Sequence, residues 1–160
     1  MRVIGIDPGV TGALAVLDSD GVGAWRVAAV YDLPAIAVRT ALGKVRRNLD
    51  PVAMAALLDQ IGQVDRCTVE RLSAPPGISG IAAYSLGATA ATIATVLALG
   101  GVGAKLISPS VWKRSMDVPK DKNAARDFAT ERFGTSEFWR RKMDHNRAEA
   151  ALIALYGALL

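Results

Sequence analysis

The sequence predicts an α/β fold in which a mixed sheet opens with three antiparallel strands and is flanked by helices. Three observations carry that expectation. Residues 1–18, MRVIGIDPGVTGALAVLD, read as strand, glycine turn and strand. Two short strand-like runs, Arg66 to Glu70 and Ala104 to Ile107, each follow a stretch of helical composition. The remainder, from about Ser108, carries repeated helix-start signals.

In order, Val3, Ile4 and Ile6 form the first strand, Pro8, Gly9 and Gly12 the turn, and Ala13 to Leu17 the second strand. Asp18-Ser19-Asp20-Gly21 is a hairpin loop leading to a third strand at Ala24 to Tyr31. Pro34 and the basic residues Arg39, Lys44, Arg46 and Arg47 make residues 33–50 read as a mobile connection. Asp50 is an N-cap with Pro51 at the first helical position, so a helix is expected over Pro51 to Ile61, ending near Gly62.

Residues 76–104 contain no charge. Their length approaches the roughly 20 residues of a membrane span, but interleaved Ser and Thr and the glycines at 100, 101 and 103 favour a buried helix and no membrane association. Ala83, Gly87, Ala91, Ala94 and Ala98 form a stripe of small residues, fitted either to the protein's own sheet or to a homodimer contact. Ser108-Pro109-Ser110 starts a helix through Met116, Asp121 caps Lys122 to Phe133 with Gly134 as the stop, and a last apolar helix begins near Asp144.

At 160 residues, with 51% apolar and 21% charged residues, the chain suits one domain over residues 1–160 with a sizeable core. A formal charge of +4 permits a polyanionic partner without demanding one. A lone cysteine, Cys67, excludes an intramolecular disulfide and a cysteine zinc cluster, and a lone histidine, His145, excludes a multi-histidine metal site. The opening residues read as a strand rather than a signal peptide, so a cytoplasmic setting is expected.

Carboxylates stand at three structurally similar places. Asp7 ends the first strand, Glu70 ends the fourth, and Glu149 enters the apolar last helix after Asp144-His145-Asn146. A carboxylate there needs a cation, and no lysine or arginine follows along that helix. Oxygen ligands of this kind suit Mg²⁺ or Mn²⁺. Two ions roughly 3.5–4 Å apart would activate water and stabilise the leaving oxygen in phosphodiester hydrolysis.

IGIDPG followed by TG, VE at residues 69–70, SLG at 85–87, SPSVWK at 108–113 and the terminal AEAALIA together resemble the RuvC-type Holliday-junction resolvases. The short turn Asp7 to Gly12 is similar to that of phage-type members, so a bacterial or phage-infected cell is the implied setting. The resemblance covers nearly the whole chain. It implies an RNase H-like mixed five-stranded sheet and a dimeric, Mg²⁺- or Mn²⁺-dependent endonuclease that nicks four-way DNA junctions. Asp7, Glu70 and Glu149 match three of the family's four active-site positions. The fourth position, three residues before Glu149, is Asn146. In a regular helix His145 and Asn146 share the face of Glu149, whereas Asp144 points about 140° away unless it precedes the helix proper. Asp144 is favoured as the fourth metal carboxylate or else as the N-cap, His145 as a proton-transfer partner or outer ligand and Asn146 as a weak neutral ligand.

Basic residues that can neutralise phosphates concentrate in two zones, Arg39 to Arg47 and Lys113 to Arg147. DNA contacts are expected from Lys113, Lys120, Lys122, Arg126, Arg140, Arg141, Lys142 and Arg147, and from Arg71, Leu72 and Ile78 in the loop after Glu70. Three alternatives remain: a catalytically weakened junction-binding protein, a related nuclease acting on structured RNA, and an actin-like or sugar-kinase phosphate turn. The last requires a second such domain, for which 160 residues leave no room.

Overall fold

The computed structural model describes residues 1–41 and 43–160. The chain opens with β1 (Arg2–Asp7), β2 (Ala13–Ser19) and β3 (Trp25–Asp32), followed by a ribbon of β4 (Ala35–Arg39) and β5 (Val45–Leu49). Then come α1 (Pro51–Ile61), β6 (Arg66–Glu70), α2 (Gly80–Leu99), β7 (Ala104–Ile107), α3 (Pro109–Ser115), α4 (Lys122–Phe133) and α5 (His145–Leu159). The main sheet has the order β3-β2-β1-β6-β7, antiparallel among β1, β2 and β3 and parallel from β1 through β6 to β7. The expected α/β architecture with a mixed five-stranded sheet is therefore present.

Both faces of the sheet are covered, which is why β1 reads as a continuous apolar run. Ile4 and Ile6 point to one side, into a cluster with Met54 and Leu58 of α1 and Ile93, Val96 and Leu97 of α2. On the other side, Ala13 and Ala15 of β2 meet Ala150, Ala151 and Ile153 of α5, while Val3 and Leu17 meet Ala154 and Leu155. The α5 backbone lies against β1 itself: a Cβ added at Gly5 would stand 2.2 Å from the Ala154 nitrogen and 2.4 Å from the Ala150 oxygen. Arg66 of β6 ties down the far end of α5 by donating to the carbonyls of Gly157 and Ala158 at 3.4 and 3.1 Å.

Two expectations are corrected. Residues 33–50 do not form a structureless connection, because Ile36, Val38 and Val45 supply strand residues and β4 pairs with β5 from Ala35↔Leu49 to Arg39↔Val45. Pro34 precedes the first ribbon residue, where its missing N–H breaks no ladder bond. The second correction concerns α2, which is long and apolar enough to cross a membrane but is not a wholly buried helix. Only Thr89, Ile93, Val96 and Leu97 are buried. Gly87, Ala91, Ala94 and Ala98 are exposed, and Ala91, Ala94 and Ala98 line an open groove beside the β6–β7 edge, so the small-residue stripe does not pack tightly on the protein's own sheet.

Candidate active site

Strand register brings the acidic residues together. Asp7 pairs with Ala13, which pairs with Asp32 on β3, while Ile6 aligns with Val69 in the parallel β6. Asp7 and Glu70 therefore leave adjacent strands at the same edge of the sheet, and Glu149 reaches it from the first turns of α5. The loop between β1 and β2 is tight: Gly12 N–H donates to the Gly9 carbonyl at 3.0 Å, and a Cβ on Gly12 would lie 2.2 Å from the Asp7 carbonyl oxygen. Only glycine fits there, which explains the Thr-Gly after Asp-Pro-Gly.

Burial and neighbouring negative charge disfavour ionisation of Asp7 and Glu70. Burial, then the charges of Glu149 and Glu70, push Asp7 up to about 8, against a smaller opposing pull from Lys113 and Lys122. Burial also raises Glu70, opposed by the hydrogen bond from Trp112 and the charge of Lys113. Trp112, fully buried, donates from Nε1 to Glu70 Oε2 at 2.6 Å, and Lys113 Nζ donates to Glu149 Oε1 at 3.0 Å. The cation for Glu149 thus comes from α3, not from its own helix. Among the described residues no three Asp, Glu, His or Cys side chains converge closely enough as placed to hold one ion. Glu70 and Glu149 are turned instead to Trp112 and Lys113. The donor set itself, three hard-oxygen carboxylates against one lysine ammonium in contact, fits a divalent cation of the Mg²⁺ class.

The residues preceding Glu149 separate into different roles. Asp144 is buried but takes both oxygens to Arg141, whose side chain and backbone N–H donate to it at 2.8–3.2 Å. This holds its carboxyl below the usual aspartate range, and Asp144 makes no side-chain cap to α5. The structure therefore does not place it among Asp7, Glu70 and Glu149, because a short 3-10 turn at Lys142–Asp144 lets it close on the preceding arginine. His145 Nε2 lies 3.1 Å from Lys122 Nζ, which donates to it. Asn146 Nδ2 donates to the Thr11 carbonyl at 2.6 Å and so pins the Asp7 turn to α5.

The basic residues also divide. Arg147 is bidentate to Asp32, at 2.7 and 2.6 Å, and Arg141 is engaged by Asp144, so these two expected DNA contacts are already paired. Arg126 is half-buried beside Asp127 at 3.7 Å. Lys120, Lys122, Arg140 and Lys142 are exposed, as is Arg71, while Ile78 is half-buried. Leu72, half-buried, lines with Glu70 and Arg71 an open groove of about 770 Å³ between α2 and the β6–β7 edge. Sequence reasoning missed the part Trp112 and Lys113 play in holding the carboxylates; SPSVWK marked the segment but not its direction.

No protein-family model matches the chain, and no curated protein matches it. Among solved structures, Thermus thermophilus RuvC in complex with a Holliday junction substrate is similar over 99% of this chain and 93% of its own, at 19% identity and a TM-score of 0.69. A second Thermus thermophilus RuvC structure is similar over the same shares, at 18% identity and a TM-score of 0.65. The chain therefore has the RNase H-like fold of these RuvC structures, with Asp7, Glu70 and Glu149 at one edge of its sheet.

Proposed function

We propose that this protein is a metal-dependent endonuclease that hydrolyses phosphodiesters of branched DNA, four-way junctions above all, and acts as a dimer. The observation that carries the reading is the trio Asp7, Glu70 and Glu149, which share one sheet edge, where burial and then the charges of Glu149 and Glu70 raise the Asp7 carboxyl to about 8. The likeness of the fold to a RuvC bound to a Holliday junction supports DNA as the polymer. Asp7, Glu70 and Glu149 would hold the divalent ions, probed as Mg²⁺ or Mn²⁺. When bound, such ions supply a nucleophilic water at neutral pH and charge stabilisation at the phosphate.

The chain's own residues prepare that point. Trp112 fixes the rotamer of Glu70, Lys113 holds Glu149, and Asn146 clamps the turn from which Asp7 projects. Lys122, beside His145 and felt electrostatically by Asp7, is placed to meet a phosphate oxygen, and His145 next to it is the residue proposed for proton transfer in the reaction. Exposed Arg71, Lys120, Arg140 and Lys142 neutralise phosphates around the site.

The dimer is supported by α2. Its exposed stripe is apolar and uncharged, and a side chain at Gly87 would meet nothing within 4 Å in the single chain, which leaves room for a second copy to approach closely there. A second functional reading is favoured by one observation. With Asp144 held by Arg141 and an amide at 146, where the resemblance implies an Asp or His, the site has three of the four implied positions filled, which suits a protein that binds junctions without cutting them.

The test incubates the protein with a labelled four-way junction, a linear duplex and structured RNA, each with and without Mg²⁺ or Mn²⁺. Metal-dependent paired nicks in the junction, abolished by Asp7→Asn with junction binding retained, are expected. Cleavage surviving in Asp7→Asn would overturn the site. Binding without cutting in every metal would select the second reading, and preferential cutting of RNA would redirect the substrate.

A further inference from the structure

The β4–β5 ribbon is the part of the chain that the proposed hydrolysis leaves without a role. Residues 33–49 contain no acidic residue and four cations, Arg39, Lys44, Arg46 and Arg47, all exposed. Among the described residues none of the four makes an ion pair. Every described residue from Ile36 to Asn48 is exposed except Thr40, which is half-buried at the tip, so beyond its Ala35–Leu49 base, where Leu49 is buried in the core, neither face of the ribbon is covered by the protein. A two-stranded hairpin standing free in water is marginal unless something else engages it.

Register distributes the charge. Val38 pairs with Arg46, Arg39 with Val45 and Ala37 with Arg47. Paired residues share a face and successive residues alternate, so Arg46 lies on the face of Ile36 and Val38, whereas Arg39 and Arg47 lie on the other. At the tip the Thr40 N–H donates to the Lys44 carbonyl at 2.8 Å, continuing the ladder and setting Lys44 on the Arg46 face. Two cations on each face are poorly arranged for lying flat on one anionic surface. They suit a ribbon flanked by negative charge on both sides.

The root of the ribbon fixes its location. The Leu33 N–H donates to the Gly12 carbonyl at 2.9 Å, and Gly12 closes the turn that carries Asp7. The Asp50 N–H donates to Pro34 at 2.9 Å, closing the base of the hairpin beside α1. From that root, strands of five residues reach roughly 17 Å. The major groove of a DNA duplex, about 12 Å wide between its phosphate walls, admits a two-stranded ribbon.

We propose that the β4–β5 ribbon is a DNA-binding arm that inserts between the phosphate backbones of a duplex arm adjoining the cleavage point, with Arg39, Lys44, Arg46 and Arg47 meeting the phosphates. The proposal rests on the reading of the site as acting on DNA, and charge complementarity names the occupant. Because the cations meet phosphates and not base edges, the arm adds affinity and sets the direction of the DNA without selecting sequence.

The test measures binding of a labelled four-way junction and a linear duplex, in EDTA, by the full chain and by the variant Arg39→Gln/Lys44→Gln/Arg46→Gln/Arg47→Gln, between about 50 and 200 mM salt. At roughly 0.9 counterions released per phosphate contact, the variant's log-log salt slope is expected to be shallower by about 3 to 4 on both DNAs, an effect of about 150-fold across that range. The altered side chains are exposed, so its melting temperature should match the wild type. Should it melt early, Arg46→Gln and Arg47→Gln singly are each expected to lower the slope by about 0.9. Wild-type binding with slopes unchanged in the variants would overturn the arm alone. Failure of the wild type to bind or cut any DNA in any metal would overturn the nuclease reading and the arm with it. Retention of the wild type but not the quadruple variant on phosphatidylserine vesicles, with equal DNA slopes, would make the ribbon a membrane contact and also overturn the proposal.

Discussion

Asp7 contributes stability that falls with rising pH in the metal-free protein. Its carboxyl, ordinarily near 3.8, is held near 8 by burial and by Glu149 and Glu70. The folded chain binds that proton more tightly than the unfolded one. The contribution to stability is complete below pH about 4 and is lost as the pH rises through about 8. In EDTA the melting temperature is therefore expected to fall between pH 5 and 8, and Asp7→Asn to flatten that fall and raise the value at pH 8 by about 5 °C. Scanning calorimetry across that range decides it; an unchanged slope in Asp7→Asn would remove the carboxyl repulsion. Lys113 is the converse case. Lys113→Met leaves the buried Glu149 without its 3.0 Å partner, an expected loss of about 2 kcal/mol or roughly 4–8 °C. Mg²⁺ should restore more of the melting temperature to this variant than to the wild type, and no difference would separate Glu149 from the metal. Asp7, Glu70 and Glu149 were legible because an acid at the end of an apolar strand or inside an apolar helix is conspicuous by its desolvation cost. Asp144 was not, since its pairing with Arg141 depends on a 3-10 turn that helical periodicity does not foretell.

At the scale of elements, the contact between α5 and the sheet positions Glu149. Gly5→Ala would drive a methyl into the backbone at Ala150 and Ala154, so α5 must lift from β1. We expect a loss of about 3 kcal/mol or more, read from the urea midpoint. A wild-type midpoint would refute the packing. Elements with strong end signals were legible: Asp50 accepts from the N–H groups of Val52 and Ala53, and Asp121 from those of Asn123 and Ala124, as their positions before α1 and α4 imply. The β4–β5 ribbon was obscured because its basic residues mask a short strand alternation whose apolar positions face solvent. The course of α2 was clear, but not which of its faces is inward, because it is apolar all round and has no polar side to betray the core.

For the whole molecule, the outward stripe of α2 predicts assembly. The wild type is expected to sediment at twice the chain mass, and Ala91→Arg, which places a charge on that exposed face, at the mass of one chain without loss of fold. A monomeric wild type would remove the dimer and the paired nicks with it. The sequence by itself determined the mixed sheet, the order of its elements and three acidic positions, because hydrophobic periodicity, glycine turns and capping residues act over a few neighbouring residues. Only the tertiary structure decided what those positions face. Strand register set Asp7 beside Glu70, α3 delivered Trp112 and Lys113 to the carboxylates, and Arg141 and Asp32 paired with Asp144 and Arg147. These pairings join residues through space, where desolvation and charge choose the partner and local pattern carries no record of it.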